Sequence, residues 1–214
     1  MPLSRRHAAL AAKAERAAEV PRFHRLFDER YGAQMVRVTP GDFYVTDAAD
    51  EIVVTVLGSC VAACVRNPWT GFGGLNHFLL PGDAPDNAQG VDGSLRYGNF
   101  AMETLINAVL KSGCLRQNLE IKLFGGADVL GGCTRVGSKN AEFVLRYLRN
   151  EGLDPVATDL GGQHARRIHY CPKTGKVQRH LLQRNIEMEV IRDEAYYASR
   201  IAASPIEGTI ELFE

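Results

Sequence analysis

Short apolar and alternating segments dominate the chain and predict a protein built largely from β-strands. These segments alternate between apolar and polar residues, or form brief apolar runs bounded by glycine, proline or asparagine, as strands of half-buried sheets do. The predicted strands cover residues 34–38, 43–46, 52–57, 61–66, 72–80, 119–124, 156–159, 167–170 and 176–183. Residues 186–191 also alternate in the manner of a strand.

Two longer segments carry the helical period instead. In residues 99–112 the apolar side chains recur at helical spacing up to Gly113, and residues 140–151 repeat the pattern up to Gly152. Strands of period two with only two long helices predict an α+β fold. We expect mixed, mostly antiparallel β-sheets that form a sandwich-like core flanked by two main helices.

One predicted hairpin brings a thiol and an imidazole together. Residues 67–70 have the chemistry of a type I turn, with asparagine first, proline second and a glycine directly after. A loop of these four residues pairs Arg66 with Gly71, and the same register places Cys60 opposite His77. Directly opposed residues have Cβ atoms roughly 4.5 to 5.5 Å apart, and a slip of one residue would move the two side chains to opposite faces.

A cysteine beside a histidine predicts nucleophilic catalysis. A free thiol with a pKa near 8.5 is only a few per cent ionised at neutral pH, so Cys60 needs a base such as His77 to become a nucleophile. The alternative is structural, because free cysteines are often buried and a single histidine is often part of a core.

Metal binding is the chemical rival to catalysis. Soft ligands are available from Cys60, Cys64, His77 and Cys133. In a strand, however, Cys60 and Cys64 would lie about 13 Å apart at roughly 3.3 Å per residue, and the chain has no Cys-x-x-Cys pair of the kind that zinc sites favour. We therefore expect neither a metal nor a cofactor.

Composition limits the class of protein. The 214 residues include 25 basic and 25 acidic side chains, so the formal net charge of zero gives no indication of a nucleic-acid or membrane-surface partner. Five cysteines without a dense framework fit a reducing compartment. Residues 1–20 are rich in alanine, but Lys13, Glu15 and Arg16 interrupt any export signal, and no stretch approaches the roughly 20 apolar residues of a membrane span. We expect a cytoplasmic protein with no direct membrane insertion.

A family resemblance rests on ordered blocks between about residues 36 and 184. The chain resembles the chemoreceptor glutamine deamidase family, CheD, in Val54-Thr55-Val56-Leu57-Gly58-Ser59-Cys60-Val61-Ala62-Ala63-Cys64, Gly73-Gly74-Leu75-Asn76-His77-Phe78-Leu79-Leu80-Pro81, Arg96-Tyr97-Gly98, Lys122-Leu123-Phe124-Gly125-Gly126-Ala127, Val136-Gly137-Ser138-Lys139-Asn140 and Asp159-Leu160-Gly161-Gly162 with Arg166. It implies a cysteine-hydrolase type of fold and three regions: an N-terminal extension (1–33), a deamidase domain (34–185) and a C-terminal extension (186–214).

The implied activity is hydrolysis of a side-chain amide. Gln residues on the cytoplasmic helices of methyl-accepting chemotaxis receptors would become Glu with release of ammonia, with Cys60 as nucleophile and His77 as base. Backbone N–H groups from Gly58 to Cys60, through Ser59, are candidate donors to the oxyanion. The family places a threonine shortly before the cysteine, in some members six positions upstream, where this chain has Val54. We choose Thr55 as the third catalytic member and Ser59 as the fallback, the alternative being that Thr55 is an ordinary strand residue.

The glycine pairs have several interpretations. Gly125-Gly126, Gly131-Gly132 and Gly161-Gly162 fit no phosphate-binding motif, so they mark tight turns or, given the resemblance, the walls of a groove for a receptor helix. We take Gly125, Gly126, Gly161 and Gly162 as candidate substrate-binding residues. Arg166 either holds the second loop or meets an acidic receptor surface. The polar loop 82–93 is a candidate rim of the site.

The resemblance implies two partners and leaves two other functions open. The partners are methyl-accepting chemotaxis receptors and a CheC-type phosphatase that can occupy the surface near the active site. One alternative function is a receptor-binding chemotaxis regulator in which turnover is secondary. The other is a thiol-dependent glutamyl methylesterase on the same receptors, since esters and amides pass through similar tetrahedral intermediates.

Overall fold

The computed structural model describes residues 23–80, 88–129 and 135–203. Within them, ten strands form two five-stranded sheets and three α-helices accompany them. The strands are β1 His24–Asp28, β2 Ala33–Arg37, β3 Phe43–Thr46, β4 Glu51–Leu57, β5 Val61–Arg66, β6 Gly73–Asn76, β7 Glu120–Gly125, β8 Ala157–Leu160, β9 Arg166–Cys171 and β10 Lys176–Leu181; the helices are α1 Ala88–Leu110, α2 Val136–Asn150 and α3 Arg184–Ala203, with a 3₁₀ turn at Arg116–Asn118.

The two sheets confirm the predicted fold class. The first has the order β1-β2-β4-β9-β10 and the second the order β3-β6-β5-β7-β8. Each sheet contains one parallel pair, β2 with β4 and β7 with β8, while the other pairs are antiparallel. The sheets are therefore mixed and mostly antiparallel, as the alternating pattern predicted.

Strand β5 lies at the centre of the core because it is apolar on both faces. Its residues Val61, Ala63 and Val65 pack against helices α1 and α2, whereas Ala62 and Cys64 face the first sheet. Burying a large aliphatic side chain stabilises the fold by about 1.5–3 kcal/mol. The predicted stripe of α1 is part of this core, since Met102, Leu105, Ile106 and Val109 are fully buried.

Element bounds differ from the predictions in several places. The predicted strand 72–80 is the shorter β6 Gly73–Asn76, and β1 His24–Asp28 forms where no strand was predicted. Helix α1 begins at Ala88, so residues 88–93, predicted as loop, are helical, and residues 82–87 of that loop lie outside the described residues. Gly131, Gly132 and Cys133 also lie outside them, as do residues 1–22 and 204–214.

The predicted strand at residues 186–191 was wrong, because these residues belong to helix α3. Its inward side chains are Glu187, Val190 and Glu194, spaced at i, i+3 and i+7. Two of the three are carboxylates, so the buried face carried no apolar period. The alternation of Ile186, Met188 and Val190 therefore does not correspond to a strand.

The central hairpin has a register two residues away from the predicted one. Arg66 pairs with Gly73 and Cys64 with Leu75, because Asn67 donates its N–H to the Phe72 carbonyl and the loop is residues 68–71. Cys60 is therefore not directly opposite His77, as predicted. A shift of two residues keeps every side chain on its predicted face.

Candidate active site

Cys60 lies in the turn where the chain passes from the first sheet to the second. Strand β4 ends at Leu57 and β5 begins at Val61, so Gly58, Ser59 and Cys60 form the crossing. The next residue, Val61, exchanges two backbone hydrogen bonds of 2.9 Å with Phe78. Cys60 and His77, one position before each member of this pair, share the face that is directed between the sheets.

The thiol, the imidazole and a carboxylate meet in this buried space. Cys60 Sγ, a ring nitrogen of His77 and a carboxylate oxygen of Glu194 all lie within 4.8 Å of one another. Cys60 is 0% exposed and His77 3%. The structure thus brings together the two residues that the hairpin argument paired, and adds a third that the sequence analysis did not select.

Thr55 fixes the tautomer of His77. Its hydroxyl donates to the Val38 carbonyl at 2.9 Å and lies 2.8 Å from His77 Nδ1. Because the single hydroxyl hydrogen is already used, Nδ1 carries the hydrogen and donates to Thr55 Oγ1. The lone pair is then on Nε2, which makes no hydrogen bond within the described part of the chain.

The fallback third residue, Ser59, contacts Glu194. Its hydroxyl donates to Glu194 Oε2 at 2.6 Å, so of these two candidates it is Thr55 that meets the imidazole.

Glu194 occupies a cradle of backbone N–H groups at the turn of residues 58–60, called the nucleophile turn below because it carries the candidate nucleophile. Its Oε1 accepts from the N–H of Gly58 at 2.8 Å and of Cys60 at 3.1 Å, and its Oε2 accepts from the N–H of Ser59 at 2.9 Å. A Cβ added at Gly58 would lie 3.0 Å from Glu194 Oε2. The turn is therefore shaped for a negative oxygen, which is the requirement for an oxyanion hole.

The carbonyls of the same turn are held on the opposite side. Gly126 donates its N–H to the Cys60 carbonyl at 2.7 Å, and Ala127 donates to the Gly58 carbonyl at 2.8 Å. Asn140 completes the set by donating from Nδ2 to the Ser59 carbonyl at 2.9 Å. With all three carbonyls engaged, the three N–H groups converge on Glu194.

Asn140 was not chosen as a site residue. Its signal in the sequence was its place in the Val136–Asn140 block, within a helix that otherwise buries apolar side chains.

The glycine pairs lie behind this turn at different depths. Gly125 has φ +107°, and a Cβ there would meet the Cys60 carbonyl oxygen at 2.1 Å. Gly161 donates its N–H to the Gly125 carbonyl at 2.9 Å, and Arg166 hydrogen-bonds the Gly161 carbonyl. Gly125 and Gly126 thus contact the nucleophile turn directly, whereas Gly161 reaches it through Gly125.

Burial keeps the thiol and the imidazole neutral in this arrangement. Desolvation, followed by the negative charge of Glu194, raises the pKa of the Cys60 thiol well above its ordinary value. Desolvation also lowers the pKa of His77 to about 4, although the Glu194 charge acts in the opposite direction. A neutral thiol beside a neutral imidazole is the resting form of a nucleophile and base pair that transfers its proton only as it attacks.

Cys60, His77 and Glu194 also carry atoms that can bind a metal ion. Each Glu194 oxygen already accepts two hydrogen bonds from N–H or O–H donors, an environment that suits an anion. Cys64 faces the core between the sheets, and burial raises the pKa of its thiol. The arrangement thus favours an acyl-transfer site over a metal site.

Two cavities flank helix α3 where it covers the site. One, of about 420 Å³, is lined by residues that include Val38, Thr39, Pro40, Thr55, His77 and Glu194. The other, of about 180 Å³, includes Ser59, Leu79, Ala127, Ile191, Glu194 and Ala198. Glu194 borders both, so the helix lies along a groove that it does not fill.

The buried thiol, the imidazole and the converging backbone N–H groups have the arrangement expected of one class of protein, the thiol-dependent hydrolases. Comparison with known proteins is more specific. A family model described as CheD chemotactic sensory transduction matches residues 79–180. A relative from Rhodopseudomonas palustris (strain BisA53) is 47% identical and aligns over 87% of each chain, and one from Halorhodospira halophila (strain DSM 244 / SL1) is 45% identical over 89% of each chain. Both are named probable chemoreceptor glutamine deamidase CheD.

The chain belongs to the CheD family, which confirms the resemblance found in its sequence blocks. Among solved structures, a Bacillus licheniformis hypothetical protein, YfiH, is 12% identical with a TM-score of 0.37 over 55% of this chain and 50% of its own, a likeness too distant to bear on the site. Within the described residues, none of the helices combines the length and the apolar character needed to cross a membrane.

Proposed function

We propose that this protein converts Gln side chains of methyl-accepting chemotaxis receptors to Glu through a thioester on Cys60. The observation that carries the proposal is the convergence of the Cys60 thiol, the His77 imidazole and three backbone N–H groups on one small space. The names of the relatives support chemoreceptors as the substrate class. The geometry supports the roles that we assign to the individual residues.

The first half-reaction forms the thioester. Cys60 Sγ attacks the amide carbon while its proton passes to His77 Nε2, and the carbonyl oxygen becomes an oxyanion in the cradle of Gly58, Ser59 and Cys60 N–H groups. His77 then returns the proton to the nitrogen, the C–N bond breaks and ammonia leaves. Removing one oxyanion donor costs about 10²–10³ in kcat in other hydrolases, so three convergent donors are a substantial part of the catalysis.

The second half-reaction restores the enzyme. Water gives a proton to His77 Nε2 and attacks the thioester carbon, and the oxyanion forms again in the same cradle. The C–S bond breaks, the thiol recovers its proton, and the carboxylic acid ionises to a glutamate side chain. The sum is one carboxamide and one water converted to one carboxylate and one ammonium.

We assign positioning roles to the remaining residues. Thr55 holds His77 in the tautomer whose lone pair is directed to the thiol. Gly125, Gly126 and Asn140 support the carbonyl side of the nucleophile turn. Gly161 and Gly162, together with Arg166, remain proposed walls of the substrate groove.

The test is deamidation of a purified cytoplasmic receptor fragment. Each event adds about one dalton to a peptide, the difference between an amide and an acid, and releases one ammonia. Cys60→Ala should abolish both signals. Cys64→Ala is the matched control, because Cys64 is another fully buried thiol that faces the core, and it should leave turnover in place.

The same assay separates the other two functions. Methanol from a glutamyl methyl ester peptide, without ammonia from the matching Gln peptide, would indicate a methylesterase. Full chemotactic complementation by Cys60→Ala would indicate a binding regulator in which turnover is secondary.

Further proposals rest on the family alone. Because its proposed substrates are cytoplasmic receptor helices, we propose that the protein acts in the cytoplasm. A CheC-type phosphatase is a proposed regulatory partner. The division into an N-terminal extension (1–33), a deamidase domain (34–185) and a C-terminal extension (186–214) also stays a prediction. Retention of a tagged CheC-type protein on the immobilised full chain tests the partner.

A further inference from the structure

Helix α3 places the side chain of Glu194 in the centre of the proposed active site. The Glu194 carboxylate receives four hydrogen bonds from the nucleophile turn, three from backbone N–H groups and one from the Ser59 hydroxyl. It also lies within 4.8 Å of the Cys60 sulfur and a His77 nitrogen. A glutamate side chain in this position has the chemistry of the product of glutamine hydrolysis.

The attachment of α3 is polar rather than apolar. Among its described side chains the buried ones are Glu187, Val190 and Glu194. Glu187 accepts from the Ala165 N–H at 3.2 Å and lies 3.1 Å from His164 Nδ1, and the Tyr197 hydroxyl hydrogen-bonds that of Tyr97. The apolar anchor is Val190 with the partly buried Tyr197 and Ala198, which pack against the core between the sheets, and it is small for a helix of 20 residues.

The space around the helix agrees with a groove that can hold a different occupant. Cavities of about 420 Å³ and 180 Å³ lie along its two flanks, so α3 is not interdigitated with the core as α1 is. A helix held mainly by hydrogen bonds to polar groups can leave, because water replaces those bonds.

We propose that α3 is a built-in occupant of the substrate groove, and that Glu194 is held where the product carboxylate of a deamidated receptor would lie. This inference rests on the proposed function and adds its regulation. The described conformation is then a self-inhibited one, and a receptor helix reacts only after displacing α3. Differential affinity for the groove decides the balance between the two occupants.

A chemical consequence follows for glutamine at this position. In Glu194→Gln the carboxamide would lie against the thiol and the N–H cradle, so the enzyme should hydrolyse its own side chain. Cys60 Sγ attacks the amide carbon of the introduced glutamine, ammonia leaves with a proton from His77, and water cleaves the thioester to regenerate Glu194. The reaction uses one water and needs no other reactant.

The experiment follows residue 194 by mass. Purified Glu194→Gln is sampled over time and the tryptic peptide 193–200 is measured; we expect a gain of about one dalton, the exchange of an amide for an acid. The Glu194→Gln/Cys60→Ala double variant should keep its glutamine. Glu189→Gln is the matched control, because Glu189 is an exposed carboxylate on the same helix, and its glutamine, followed in the tryptic peptide 185–192, should persist.

A second arm measures release of the site. Glu194→Ala should raise the rate of Cys60 alkylation by iodoacetamide and the rate of receptor-fragment deamidation, each about tenfold, the factor that 1.4 kcal/mol of lost closure gives. Glu189→Ala should change neither rate. Should Glu194→Ala fail to fold, Glu187→Ala, which loosens the same helix outside the cradle, takes its place in the alkylation assay and should also raise the rate.

The possible outcomes test the occupation of the groove by α3 separately from the proposed deamidase function. If receptor Gln is converted in a Cys60-dependent manner while the glutamine of Glu194→Gln persists and Glu194→Ala gives no increase, the inference is wrong and the deamidase stands. If the glutamine of Glu194→Gln is hydrolysed but no receptor Gln is, the groove assignment stands and the receptor substrate is wrong. If neither is hydrolysed and alkylation is unchanged, both are wrong.

Discussion

The Thr55 hydroxyl lies 2.8 Å from His77 Nδ1 while it donates its own hydrogen to the Val38 carbonyl 2.9 Å away. This pair of contacts determines which nitrogen of the imidazole can act as a base. With the hydrogen on Nδ1, the Nε2 lone pair is free to take a proton from Cys60. In the proposed mechanism, Thr55, five positions before the cysteine, therefore acts through the histidine.

Thr55→Val should reduce deamidation without unfolding the protein. Valine matches the shape of threonine but cannot accept from Nδ1, so the tautomer and ring orientation are no longer fixed. We expect kcat to fall about tenfold to a hundredfold, part of the 10²–10⁴ that general acid-base catalysis supplies, with KM for the receptor fragment nearly unchanged. Thr55→Ser, which keeps the hydroxyl, should retain most of kcat. A loss in Thr55→Ser with none in Thr55→Val would show that the methyl group, not the hydroxyl, matters.

The depressed pKa of His77 makes stability depend on pH. Burial lowers this pKa to about 4 from an ordinary 6.5, so between these values the unfolded chain binds a proton that the folded chain does not. The free energy of unfolding should therefore decrease as pH falls from 6.5 toward 4, by at most about 1.4 kcal/mol per pH unit, and show no contribution from this residue above 6.5.

Urea unfolding at several pH values measures this slope. His77→Gln removes its titrating group and should reduce the slope in that window, leaving the part that comes from His169, whose pKa is also lowered by burial. Replacing the exposed His24 should leave the slope unchanged. A wild-type curve that already matches the His77→Gln curve would contradict the burial argument.

Much of the site could be predicted because strand parity is robust. The hairpin prediction closed the loop one residue too early, which shifted the register by two and paired Cys60 with His77 instead of with Leu79. Since side chains alternate with period two, the thiol and imidazole still share a face, and they meet diagonally across the Val61 and Phe78 pair. The predicted proximity of Cys60 and His77 remained correct because the register error was an even number of residues.

There is a physical reason why helix α3 could not be predicted from the sequence. Sequence periodicity detects faces that bury apolar side chains, and the inward face of α3 buries Glu187 and Glu194. The partners that make such burial tolerable are backbone N–H groups at Gly58 to Cys60, about 135 residues earlier. No local pattern carries that information.

Gly125→Ala should destabilise the protein and impair the nucleophile turn. The new Cβ would need to lie 2.1 Å from the Cys60 carbonyl oxygen, and φ of +107° is unfavourable for alanine. We expect a loss of about 2–4 kcal/mol in unfolding free energy, the range of strained backbone plus steric repulsion, together with reduced deamidation. Thermal and urea denaturation measure the first and ammonia release the second.

Gly113→Ala separates the two causes. Gly113 also has positive φ, at +86°, but nothing lies within 4 Å of its Cβ position, so only the backbone strain of about 1 kcal/mol should appear. A loss at Gly125 no larger than that at Gly113 would mean that the turn moves aside freely, and the close approach to Cys60 would then carry no structural role.

Asn140 holds the carbonyl side of the turn whose N–H groups form the proposed oxyanion hole. It is 0% exposed, its Nδ2 donates to the Ser59 carbonyl at 2.9 Å, and its Oδ1 accepts from the Leu80 N–H at 2.9 Å. Asn140→Ala leaves both backbone groups unpaired, which should cost about 1–3 kcal/mol for each buried group. Asn140→Asp keeps the bond to Leu80 but places a carboxylate against the Ser59 carbonyl, so we expect deamidation to fall further in Asp than stability alone explains. Asn107→Ala on the exposed side of α1 is the control. Equal activity per folded molecule in all three variants would contradict a role for Asn140 in orienting the turn.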